Sequence, residues 1–234
     1  MTETSLSFPS ARFAAPTFND DELAALNREF ESAPASRIVK WAAETFGPHL
    51  ALAASMADAL LIDIATKVDP AIEVVFIDTG YHFPETLETV ERIRRRYGLN
   101  LRIMTVAPHD EALWIKDPEN CCSAVKVGQL DRALNGKLAW MSGLRRDEAR
   151  TRATAPIVAR DPRGLIKVNP IANWTQLDVD GYMADNDVLY NPLLDQGYPS
   201  IGCWPCTKPV AEGEDPRSGR WAGKNKTECG LHLG

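Results

Sequence analysis

The feature that most constrains this chain is an alternation of short apolar runs with helical patterns between residues 49 and 105. His49 to Ala54 reads as a buried strand and Met56 to Lys67 as a helix. Ile72 to Ile77 is a second strand, Pro84 to Tyr97 a helix, and Leu99 to Thr105 a third strand. Strand and helix in regular succession imply a parallel sheet with right-handed crossovers, so the expected fold class is α/β with a doubly wound, mostly parallel sheet.

Upstream, Asp20 or Asp21 is expected to cap a helix through Leu23, Leu26 and Phe30. A second helix covers Ser36 to Phe46 and ends at Gly47-Pro48. Lys137 to Ser142 and Leu165 to Val168 are further strand candidates, and Thr175 to Asp185 a helix with its N-cap at Asn173 or Trp174-Thr175. Residues 1 to 18, rich in Ser, Thr, Ala and Pro, read as a mobile tail. Periodicity disappears after Pro192. The organisation expected is one domain over 19 to 234, with 199 to 234 as an irregular functional segment at its C-terminus.

Composition narrows the function. A net charge of −6 argues against broad electrostatic binding to nucleic acid or anionic lipid, yet leaves room for a small anion where basic residues converge. The apolar stretch from Leu50 to Ala65 is interrupted by Ser55, Asp58 and Asp63 and falls short of a membrane span. Without a basic n-region and apolar h-region at the N-terminus, a soluble, cytoplasmic protein is expected. Five cysteines in such a chain point to metal, redox or nucleophilic roles before a disulfide framework.

Strand one runs directly into a helix at Ala54-Ser55, where backbone N–H groups and a helix dipole would favour phosphate; Ser55 is either that ligand's contact or a helix cap. Strand two ends in Asp78-Thr79-Gly80 at the same edge. Trp140 to Ser142 leads through Gly143 and Leu144 into Arg145, Arg146, Arg150 and Arg152, interspersed with Asp147 and Glu148. Guanidinium forks suit phosphate and sulfate, although a charge run is also an ordinary solvated face.

Four cysteines form two pairs, Cys121-Cys122 and Cys203-Trp204-Pro205-Cys206. The second pair has the spacing used by zinc and by iron-sulfur clusters. Adjacent cysteines fit a multi-iron cluster more easily than one tetrahedral ion, and cluster, zinc site and redox-active or inert thiols all stay open on spacing alone. Cys229 has no partner left over. With His232 three residues on, it is a candidate nucleophile or an incidental thiol.

These motifs occur in a fixed order. Ile201 to Thr207, Gly213-Glu214-Asp215, Arg217 to Trp221 and Glu228 to His232 closely resemble the assimilatory adenylyl-sulfate and phosphoadenylyl-sulfate reductases. So do Asp78 to Tyr81, Phe83 to Thr86, Cys121-Cys122 with Lys126, and Ser142 to Asp147 upstream. The resemblance spans roughly residues 40 to 234 and, with both cysteine pairs present, is to the iron-sulfur branch that prefers adenosine 5'-phosphosulfate (APS).

The resemblance implies an adenine-nucleotide α-hydrolase-like fold and one 4Fe-4S cluster on Cys121, Cys122, Cys203 and Cys206. It makes Cys229 the nucleophile, with Lys126 and His232 assisting. Ser55, Thr79, Gly80, Gly143, Arg145, Arg146, Arg152, Arg217 and Arg220 would contact substrate. It further implies thioredoxin as reductant, AMP and sulfite as products, and a place in sulfate assimilation and cysteine biosynthesis. Outside the family, an iron-sulfur redox sensor that binds a nucleotide, or a zinc-containing ATP pyrophosphatase or sulfurtransferase, would share parts of this pattern.

Overall fold

A computed structural model describes residues 15–106, 113–222 and 226. Six strands form one sheet: β1 (Leu50–Ala54), β2 (Glu73–Asp78), β3 (Leu101–Thr105), β4 (Ala139–Ser142), β5 (Val158–Arg160) and β6 (Ile166–Val168). Their order is β3-β2-β1-β4-β6-β5. All neighbours are parallel except β5, which turns back along β6 in register Val158↔Val168. The doubly wound, mostly parallel sheet expected from the sequence is present. The short antiparallel edge strand β5 is an addition.

Alternation along each strand divides the core. Leu50, Leu52, Val74, Phe76, Ala139, Met141, Ile166 and Val168 face one layer. The helices over that layer are α1 (Asp20–Phe30), α2 (Ala35–Phe46), α3 (Leu60–Val68), α4 (Pro84–Tyr97) and α8, the helix Gln176–Asp185, numbered here in chain order after the short helices below. Ala51, Val75, Ile77 and Trp140 face the other side, where Leu130 and Ala133 cover them. Ile38, Phe46, Leu52 and Phe76 are almost fully buried. Each such side chain contributes roughly 1.5–3 kcal/mol through its removal from water.

Between β3 and β4 the chain forms α5 (Leu113–Lys116), α6 (Pro118–Asn120), a π-helical stretch (Cys121–Val127) and α7 (Gly128–Ala133). Helix ends follow capping chemistry. Asn19, rather than Asp20 or Asp21, caps α1 in a reciprocal box with Glu22, and Thr175 caps α8 in the same way with Asp178. Phe18, counted in the tail by composition, packs at a tilt against Trp41 and Phe46 with centroids 5.9 and 6.2 Å away. Residues 1 to 14 lie outside the described set.

One expectation fails at the first crossover. The helix after β1 begins at Leu60, not Met56, and its N-cap position is Ala59, so Ser55 does not cap it. Met56 is buried with φ +61°, a left-handed backbone that costs a non-glycine residue about 1–3 kcal/mol. Long-range partners hold the turn there. Ala59 N donates to Leu189 O (2.8 Å), Asn191 N donates to Ala57 O (2.9 Å), and Asp58 bridges Tyr190.

Candidate active site

β2 and β3 lie on one side of β1, and β4 on the other. The sheet therefore reverses its winding between β1 and β4, and a crevice opens at the carboxyl ends of the strands, the place where such sheets bind ligands. Ser55, exposed, follows β1; Thr79 and Gly80 follow β2; Gly143, also exposed, follows β4. Gly80 adopts φ +72°, which an L side chain rarely tolerates, and Asp78 Oδ1 accepts its N–H at 2.9 Å.

The arginines after β4 are held by carboxylates. Arg145, nine-tenths buried, reaches Asp147 at 3.0 Å, Glu148 at 3.6 Å and Gln176 Oε1 at 2.8 Å. Arg152 pairs with Glu148. Arg146 forks onto both oxygens of Glu31, the C-cap of α1, and donates to Ala155 O, so it is turned to the α1 side. Hydrogen bonds from Arg146 and its charge hold the Glu31 carboxyl below the usual range. Across the crevice, Asp58 Oδ1 accepts from Leu60 N. Burial pushes its carboxyl upward; Glu148 adds to that shift and Arg145 opposes it.

A second group of residues forms a pocket beside β2. Cys121, Cys122, Cys203 and Cys206 all line it, with Thr79, Tyr81, Trp114, Val125, Lys126, Pro205, Arg220 and Trp221. None of these four cysteines is in a disulfide. The first pair opens the π-helical stretch, whose wider turn brings residues i, i+1, i+4 and i+5 onto a narrower arc than an α-helix would. Cys121, Cys122, Val125 and Lys126 accordingly share one wall. The opposite wall is a single 3-10 turn, Trp204–Cys206, tied to the β2 turn by Trp204 N donating to Tyr81 O at 2.8 Å.

Thr79 Oγ1 lies 3.3 Å from Cys203 Sγ, and Thr207 Oγ1 donates to Cys203 O at 2.9 Å. The C-terminal segment closes the pocket from outside. Thr207 bridges Arg220, and Trp221 N donates to Cys206 O at 2.9 Å. The Arg220 guanidinium lies 4.5 Å from the Trp221 ring centroid and donates to Ser200 Oγ and Ile201 O, both at 3.2 Å. Gly202 makes this approach possible, because a Cβ there would fall 2.6 Å from Arg220 Cζ. Arg217 reaches Ser200 Oγ at 3.4 Å and lies farther over the same ring.

Of the residues singled out in the sequence, Thr79, Lys126, Arg220 and the two cysteine pairs meet in this pocket. Arg145, Arg146 and Arg152 form the separate, carboxylate-paired group. Cys229 and His232 lie outside the described residues. Trp114 and Gly202 were not anticipated. Trp114 sits in a segment with no periodic pattern, whereas the glycine directly preceding Cys203 was a readable sign of close packing.

Among the described residues no three His, Cys, Asp or Glu side chains converge around a point as they would for a single metal ion. Cys121, Cys122, Cys203 and Cys206 all line the same pocket. Four cysteines lining one pocket are a donor set that fits a thiolate-bound metal centre.

The fold and site define an α/β protein of the adenine-nucleotide α-hydrolase-like type. Residues 48–209 match the phosphoadenosine phosphosulfate reductase domain, and the chain belongs to that family. A Streptomyces coelicolor protein named adenosine 5'-phosphosulfate reductase is 48% identical over 225 residues, covering 91% of this chain and 95% of the relative. A Mycobacterium tuberculosis protein of the same name is 47% identical over 230 residues, covering 87% and 91%.

Among solved structures, the phosphoadenylyl-sulfate reductase of Candida auris in a phosphate complex superimposes with TM-score 0.73 at 28% identity, covering 84% of this chain and all of that one. Candida glabrata FMN adenylyltransferase, TM-score 0.59 at 12% identity over 86% of this chain and 73% of its own, shares the fold alone.

Proposed function

We propose that this protein is an APS reductase that releases sulfite and AMP. The observation that carries the reading is the pocket that four cysteines line together with Lys126 and Arg220 at the carboxyl edge of the sheet. The near full-length identity to proteins named adenosine 5'-phosphosulfate reductase supports the same substrate. No helix among the described residues is long and apolar enough to cross a membrane.

In this reading the Cys229 thiolate attacks the sulfate sulfur of APS. A sulfur–sulfur bond forms, the bond to the bridging oxygen breaks, and AMP departs with the electron pair. Lys126, Arg217 and Arg220 offset the repulsion between thiolate and sulfate and stabilise charge moving onto phosphate. His232 lies close enough in sequence to share a face with Cys229 and to hold its proton. A thioredoxin-type dithiol then attacks the Cys229 sulfur, sulfite leaves with the pair, and the second partner thiol resolves the mixed disulfide. The two electrons come from the dithiol.

Cys121, Cys122, Cys203 and Cys206 would hold one 4Fe-4S cluster. When bound, it would cross-link the π-helical wall to the 3-10 turn and add its own field beside the cations. Ser55, Thr79, Gly80 and Gly143 would form the nucleotide-facing rim, with Arg145, Arg146 and Arg152 behind it. Anaerobic purification followed by a visible spectrum, and a sulfite assay with APS and its 3'-phosphorylated form, tests the reading. Brown protein that forms sulfite mainly from APS is expected. A colourless zinc protein, or one that splits ATP and leaves APS intact, contradicts it.

A further inference from the structure

Two large apolar residues beside the pocket are more exposed than the mechanism requires. Trp204, between the two cysteines of the second pair, is 50% exposed although it is bonded through its backbone to Tyr81. Its ring packs edge-on against Trp114, with centroids 6.1 Å apart. The next residue, Ile115, is 61% exposed. Large apolar side chains left in water next to a site are a feature of partner surfaces, and tryptophan is the residue most often found as an energetic anchor there.

The path of the chain says which partner this surface must meet. Lys226 Nζ lies 2.5 Å from Glu119 Oε2, two residues before Cys121, and the lysine side chain is mostly buried. That contact fastens Lys226 to the α6 side of the pocket, beside the helix that carries Trp114. Cys229 follows Lys226 by three residues, and three residues of chain reach at most about 10 Å. A protein that attacks the Cys229 sulfur therefore works within about 10 Å of the Lys226 backbone, in reach of the α6 side of the pocket.

We infer that Trp204 and Ile115, with Trp114 behind them, form the docking surface for the dithiol protein that reduces the Cys229 adduct. The partner has an exposed thiol surrounded by apolar surface, so that Trp204 is covered when the two sulfurs come into line. A small dithiol has no such surface and needs none. This docking follows only if Cys229 carries the sulfonate as proposed above.

The test compares Trp204→Ser and Ile115→Glu with the parent enzyme, using a thioredoxin at limiting concentration and, separately, dithiothreitol. Neither side chain lines the pocket, so iron content and the rate with dithiothreitol are expected to stay at parent values. The kcat/KM for thioredoxin is expected to fall tenfold or more, equivalent to about 1.4 kcal/mol of lost interaction.

Unchanged thioredoxin kinetics in both variants overturns the inference. Equal losses with both reductants would place these residues in sulfur transfer and overturn it as well. So would a shift in oligomeric state with unchanged thioredoxin kinetics, which would mean that a second copy of the chain covers the patch. Failure of the underlying chemistry looks different, because the parent enzyme would then form no sulfite with either dithiol.

Discussion

The carboxyl edge of the sheet carries two groups of cations that the fold treats differently. After β4, Arg145, Arg146 and Arg152 are met by Asp147, Glu148 and Glu31, carboxylates of this chain. Beside β2, Arg220 donates to Ser200 Oγ and Ile201 O, lies over the Trp221 indole and lines the same pocket as Lys126 and the cysteines. An anion arriving at the first group competes with carboxylates already in place. At the second it meets cations that line the same pocket as the four cysteines. The first arrangement suits a scaffold that shapes the crevice, and the second suits a centre where charge must be stabilised as it moves.

Breaking the second group should cost most. Cys203→Ser removes one of four thiolates and the contact with Thr79, so iron and sulfite formation are expected to be lost together, with faster proteolysis of the segment after Pro192. Iron analysis beside the sulfite assay checks this, and retained iron with full activity would contradict it. Lys126→Ala should keep iron and lower the rate of AMP formation by roughly a hundredfold, as expected for one positioned electrostatic group. Stopped-flow measurement of single-turnover AMP release reads that step.

The first group should respond in stability rather than catalysis. Arg146→Ala breaks a bidentate pair whose carboxylate partner is half exposed, so no more than about 1 kcal/mol is expected. That corresponds to a fall in Tm of about 2–4 °C for a chain of this size. The KM for APS should not move; a KM increase without loss of stability would transfer Arg146 to the substrate site.

The smallest effect concerns His82, packed on Phe76 at 4.9 Å with Nε2 2.9 Å from Ile77 O. Burial lowers its pKa. Because the unfolded chain takes up this proton near pH 6.5 and the folded chain resists it, stability is retained above that pH and lost as pH falls below it. Urea midpoints of the parent should decline between pH 7 and 5.5, and His82→Gln should flatten that decline.

Legibility in the sequence follows the same division. The strands of the core were readable because β1, β2 and β4 are nearly continuous apolar runs, as buried parallel strands must be. The two cysteine pairs were readable because their spacing is local. The turn after β1 was not, since residues 56 to 59 have the composition of a helix and are kept out of one by Leu189 and Asn191, far along the chain. Asp147 and Glu148 already suggested that the arginine run was neutralised, but Glu31 at the C-cap of α1 gave no local sign. The π-helical stretch was invisible for a related reason, because the same residues serve an ordinary α-helix until the pocket they line is known.

The central claim is that sulfur passes covalently through Cys229. Incubation with APS and no dithiol, followed by peptide mass mapping, tests it most directly. One equivalent of AMP and a sulfonate adduct confined to the peptide containing Cys229 are expected, with sulfite released when thioredoxin is added. Cys229→Ser should still bind APS and retain iron while forming neither adduct nor sulfite, because a serine hydroxyl is too weakly acidic to attack at neutral pH. An adduct on any other cysteine, or sulfite formed by the serine variant, would contradict the account.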